Sequence, residues 1–347
     1  MSYSHRWIFL WILAALLGAG CSGAVGSVSP PQPTSSPAPP ATLGRGTVAV
    51  IDYDAKHALT RILILPPHSY KFSREITIHT SRIEINSAAF DRRGHLYLGI
   101  NDPGAKYEVL ELNAESGRLI REITNLPSWP RSSVATDDEN FLYVNTKAFV
   151  GGDVKLFRPG DTKPWLEIKD SHSPVTITVA RGSLWVGYEG LIADAVARYR
   201  LRSRDQTAFH HTVNNLPVEL EVDPEASLIA AKLRGDSKTF VAAIDVKSGK
   251  RTEIHDGGVE GMASDDSGNL YLAESNGKIH TCTFHRCTGS FETHTTVSRV
   301  AANPLDGMLY VAASGKPSLQ IYDPRNGQLL KSFPLPGGTP RDLAIEP

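Results

Sequence analysis

Short apolar runs, each opened by a polar turn, recur along this chain. The clearest is Gly268-Asn269-Leu270-Tyr271-Leu272-Ala273-Glu274, a Gly-led turn followed by an apolar run with Tyr, which is the pattern of a β-strand. The same shape returns at Gly94-His95-Leu96-Tyr97-Leu98, Asn140-Phe141-Leu142-Tyr143-Val144 and Gly182-Ser183-Leu184-Trp185-Val186. It appears again at Ala226-Ser227-Leu228-Ile229-Ala230 and Gly307-Met308-Leu309-Tyr310-Val311. Counted from position 94, the steps are 46, 42, 44, 42 and 39 residues.

A repeat of roughly 40–50 residues made of short strands is the spacing of β-propeller blades, about four strands each. The second unit reads as strands over 87–91, 95–100, 109–112 and 119–123, with Glu115-Ser116-Gly117 as the turn of the outer hairpin. Lys247-Ser248-Gly249 and Arg325-Asn326-Gly327 repeat that turn, Gly standing where a positive φ is easiest. Later units run over about 131–170, 173–212, 215–256, 258–296 and 298–335. The ends complete the count. Gly46 to Ile51 reads as a second strand with no inner strand before it, and Arg341 to Ile345 reads as an inner strand after which the sequence stops. Pairing them closes the ring and hides both edges. The expectation is an all-β, seven-bladed propeller over 46–347, closed by its C-terminal strand on the N-terminal blade. A pair of β-sandwiches does not predict a fixed repeat with one split unit.

The run from Gly268 to Ile279, with Glu260-Gly261-Met262-Ala263-Ser264-Asp265 before it, resembles the NHL and YVTN-type bacterial propellers. The resemblance covers about 46–347. It implies blade geometry and says little about chemistry, because that family includes binding modules, scaffolds and a few lyases and lactonases.

Composition adds location. With 36 Lys+Arg against 37 Asp+Glu the formal charge is −1, which leaves no electrostatic footprint for nucleic acid. Residues 1–20 read as an export signal: His5-Arg6, an apolar run from Trp7 to Leu17, then Gly18-Ala19-Gly20 before Cys21. The run is short for a membrane-spanning helix. Small residues directly before a cysteine resemble the lipobox of bacterial lipoproteins, which implies lipid attachment at Cys21, although Gly18 stands where such boxes usually carry Leu. Plain secretion is the simpler alternative. Residues 21–45 are rich in Pro and Ser and read as a disordered tether. Together these segments point to a lipid-anchored protein of the bacterial cell envelope, facing the periplasm or the exterior, whose partners are the membrane and an unidentified protein or small molecule.

Candidate chemistry is sparse. No nucleophile elbow, phosphate loop or His-Glu-x-x-His motif is present, so no residue is assigned as catalytic. In such rings the outer-to-inner connections border the channel mouth, where Glu84, Asn86, Trp129, Arg131, His172, Glu260, Arg299 and Arg341 are candidate ligand-binding residues. The competing reading is solvated loop polarity and inter-blade ion pairs. The leading expectation is a non-enzymatic binding module with no cofactor and no metal. The alternative is a metal-dependent lactonase, hydrolase or lyase, in which Glu84, Asn86, Asn215 and Glu260 would offer oxygen ligands to a divalent cation. The Glu-Gly-Pro run of such lactonases is absent from the first strand. The acidic runs Asp137-Asp138-Glu139-Asn140 and Asp265-Asp266 read as turns rather than calcium loops. From His280 to Cys287 the chain is dense in His and Cys; zinc suits that chemistry, and in an exported protein a Cys282–Cys287 disulfide is the simpler expectation.

Overall fold

The computed structural model describes residues 43–79, 84–101, 107–127, 133–147, 151–170, 172–190, 193–212, 215–235 and 238–347. They form seven four-stranded antiparallel sheets, the blades of a β-propeller. Blade one combines Pro340–Ile345, Val48–Asp54, Leu59–Leu65 and Arg74–His79. Blades two to seven follow in chain order, from inner strands Glu84–Phe90, Val134–Thr136, Ser173–Ala180, Leu216–Val222, Val259–Ser264 and Val297–Ala302. The last strand closes the ring by pairing Ile345 with Val48, Leu343 with Val50 and Asp342 with Ile51.

The strands are apolar on both faces because each blade is packed on both sides. Val48 and Val50 face Tyr310 and Leu319 of blade seven, while Ala49 and Ile51 face Leu96 and Leu98 of blade two. Among the described residues there are seven core clusters, and each joins two neighbouring blades. Fully burying one such aliphatic side chain stabilises by about 1.5–3 kcal/mol, so the seams hold the ring together.

The recurring Tyr has a local partner. Asp91, Asp137 and Asp265 each cap the turn between inner and second strand, Oδ1 accepting the backbone N–H groups two and four residues ahead. The hydroxyls of Tyr97, Tyr143 and Tyr271 donate to the other carboxylate oxygen at 3.2, 3.0 and 2.9 Å. The acidic turns are thus satisfied by the chain itself, and the Tyr rings pack in the seams. The fifth repeat departs from its sequence reading. Asp223 N–H donates to Leu228 C=O, five residues on, where Asp91 bonds His95, four on. That turn is one residue longer, so Ala230 rather than Ile229 takes the Tyr place, opposite Glu221.

At the outer hairpins Gly117, Gly249 and Gly327 have φ of 72°, 71° and 71°, the left-handed conformation their turns require. Cys282 and Cys287 form a disulfide across the hairpin of blade six. Cys287 Sγ lies 3.8 Å from Ile254 C=O, so the bridge packs against the outer strand of blade five.

Candidate functional site

Six inner strands carry a β-bulge near their first residues, which leaves Asn86, Val175, Val218, Glu260, Ser298 and Arg341 outside the ladder. Bulges re-aim the side chains around them. On three of these strands the next residue reaches across the seam to the following blade. Asp342 Oδ2 accepts Ala88 N–H at 2.8 Å, Ser87 Oγ accepts Val134 N–H at 2.8 Å, and Glu219 Oε1 accepts Met262 N–H at 3.2 Å. Ser133, which precedes the inner strand of blade three, does the same for Ile177 at 3.1 Å. These bonds stitch together inner strands that share no backbone ladder.

Two residues further along lies a second layer. It consists of Ala89, Ala135, Thr178, Glu221, Ala263, Ala301 and Ala344, paired with Tyr97, Tyr143, Trp185, Ala230, Tyr271, Tyr310 and Ala49. Alanine takes five of these seven inner-strand places. Blade five departs from it, placing a carboxylate there opposite a small residue.

Both layers border a cavity of about 260 Å³ lined by Glu219, Glu221, Ser264, Arg299 and Asp342 among others. Its polar groups have different commitments. Glu219 is paired with Lys232 Nζ at 2.6 Å, and Asp342 Oδ1 lies 3.6 Å from Arg299 Nε. Glu221 has a hydroxyl donor, Ser264 Oγ at 2.6 Å, and no cation partner among the described residues. Burial pushes its carboxyl up to about 8, beyond what the Ser264 hydrogen bonds pull back, and the charge of Glu219 adds to the rise. Burial likewise pushes Asp342 up to about 6, against the lowering effect of Arg299. The site is therefore a small, strand-built acidic pocket holding a carboxyl group whose ionised form lacks a counter-charge.

The sequence candidates are distributed around this pocket unevenly. Arg299 lines it. Glu260 and Arg341 occupy bulges; the Glu260 carbonyl accepts Lys232 Nζ at 2.6 Å, and the Arg341 guanidinium stacks 5.3 Å from the Tyr53 ring. Glu260 belongs to none of the described His, Cys, Asp and Glu groups close enough to share an ion. His172 lies away from the pocket, between blades three and four, with Nδ1 2.7 Å from Asp170 Oδ1 and its ring against Phe209 and Tyr188. Asn215 closes a loop by donating to Thr212 C=O at 3.1 Å. Asn86 supplies a bulge and Glu84 begins the inner strand of blade two; their side chains, and Trp129, Arg131 and Cys21, lie outside the described residues.

Glu219 and Glu221 were not among the sequence candidates. The signal for Glu221 was the second layer: Glu occupies a place that five other blades give to alanine. A larger cavity, of about 710 Å³, opens around Arg45, Arg92, Arg93 and Asp266. Its lining comes mostly from turns, the segment before the first strand and the C-terminal residues, and Asp266 already engages Arg181 at 3.2 Å and Arg45 at 4.0 Å. Groups fixed on strands hold a ligand with less reorganisation, which favours the smaller pocket.

No family model and no curated protein matches this chain. Among solved structures it is similar to Kuenenia stuttgartiensis hydrazine synthase, with a TM-score of 0.61 and 14% identity over 82% of this chain and 95% of that one. It is also similar to the Dos1 propeller, with a TM-score of 0.56 and 13% identity over 84% of this chain and 85% of that one. At such identities the likeness carries the fold alone.

Proposed function

We propose that this chain is a lipid-anchored NHL/YVTN-type propeller of the cell envelope that binds a small cationic ligand in its channel and catalyses no reaction. The observation that carries the reading is Glu221, a carboxyl without a cation partner in a layer otherwise of alanine and threonine. A bound ammonium group would supply the missing counter-charge. The pocket volume of about 260 Å³ falls just below the usual range for small-molecule sites, which suits a diamine or an amino acid better than a larger ligand. Cys21 and the Pro/Ser-rich stretch that follows support tethering to a membrane. Thermal-shift measurements with putrescine, lysine and succinate test the binding claim. Putrescine and lysine should raise the melting temperature and succinate should leave it unchanged; a rise with succinate alone, or with none of the three, rejects a cation site.

A further inference from the structure

Away from the channel, three potential metal ligands converge across the seam between blades five and six. His255 ends the outer strand Arg251–His255 of blade five. Glu274 ends the second strand Asn269–Glu274 of blade six, and His280 lies on the third, Lys278–Thr283. The Nε2 atoms of His255 and His280 lie 2.9 and 3.0 Å from the same Glu274 Oε1, and all three atoms lie within 4.8 Å of one another. The two imidazole centroids are 4.3 Å apart.

We propose that His255, Glu274 and His280 form a binding site for a divalent transition-metal ion of the zinc type. Two imidazoles and one carboxylate are a donor set suited to zinc, leaving coordination positions for water or a ligand. The surroundings are built for it. Asn276 Nδ2 donates to Glu274 Oε2 at 2.8 Å, which fixes the carboxylate and leaves Oε1 facing the imidazoles, the role of an outer-shell partner. Gly257 keeps the space open, because a Cβ there would stand 2.5 Å from His255 Nε2 and 2.9 Å from Glu274 Oε1. The three side chains are only 14–17% exposed, so an ion would be held within the seam and would clamp two blades.

A second trio, Asp91, His95 and Glu111, provides the contrast. Arg93 pairs with Asp91 at 2.5 Å and Arg121 with Glu111 at 2.6 Å, so guanidinium groups already supply the positive charge there. The zinc chemistry read from the sequence between His280 and Cys287 is thus divided. The disulfide occupies both sulfurs, His285 is exposed, and His280 finds its partners 25 residues upstream and six residues upstream.

The test is titration of chelator-treated protein with Zn²⁺ and Co²⁺, followed by calorimetry and by visible d–d absorption. The wild type should take up one equivalent, and zinc should raise its melting temperature. Glu274→Gln and His280→Ala should weaken uptake at least tenfold, and His95→Ala should leave it unchanged. Gly257→Ala, which removes no ligand, should also weaken it at least tenfold. Absence of saturable uptake by the wild type, or full uptake by His280→Ala, overturns the proposal.

Discussion

Asp342 Oδ2 accepts the backbone N–H of Ala88 at 2.8 Å, so the last strand of the chain is bonded to blade two as well as paired within blade one. The contact spans 254 positions of sequence and fastens the closing seam. Asp342→Ala would leave that N–H without its acceptor and should cost about 1–3 kcal/mol in denaturant unfolding. Asp342→Asn keeps an acceptor oxygen and should cost less. Equal losses would mean that charge, rather than the stitch, is what matters.

The turn aspartates make a second prediction. Asp265 accepts two backbone N–H groups, Asn269 Nδ2 and the Tyr271 hydroxyl. Tyr271→Phe removes one neutral donor and should lower stability by about 0.5–1.5 kcal/mol; Asp265→Ala leaves several donors unpaired and should cost more. Chemical denaturation of both variants measures the order, and calcium should stabilise neither them nor the wild type through this turn.

Stability should fall as pH rises through the range set by Glu221. Its folded carboxyl is raised from 4.5 to about 8, so the folded state holds a proton that the unfolded chain has released. The stabilisation tied to that proton is complete below the unfolded value and lost as pH passes the folded one. Glu221→Gln should flatten the decline of the melting temperature between about pH 4.5 and 8. Asp342, raised from 3.8 to about 6, has the same sign over a lower window, so its contribution is exhausted earlier.

The repeat and the ring closure were legible in the sequence because short-range chemistry writes them. A turn Asp, a Gly and an apolar run with Tyr recur at a fixed spacing, and the orphan strands at 46–51 and 341–345 need each other. The pocket was harder to read. Leu216–Val222 alternates as an ordinary strand, and only the bulge after Pro217 decides that Glu219 and Glu221 face the next blade. The extra residue in the Asp223 turn hid Glu221 further, since it shifted the fifth repeat against those built on Asp91, Asp137 and Asp265. His255, Glu274 and His280 come from two blades, and no local motif links them.

Lipid attachment makes a separate prediction. Under the proposed anchoring, Cys21→Ser should move the protein from the membrane fraction to the soluble fraction, because that reading makes the thiol the acceptor of the lipid. Unchanged partitioning in fractionated cells would refute the anchor.

The central claim, a cation-binding channel built on Glu221, is tested most directly by calorimetric titration of putrescine into the wild type and Glu221→Gln. The wild type should bind one equivalent, more tightly as pH rises towards about 8, and Glu221→Gln should bind at least tenfold more weakly. No saturable heat with the wild type, or the same isotherm for both proteins, would contradict it.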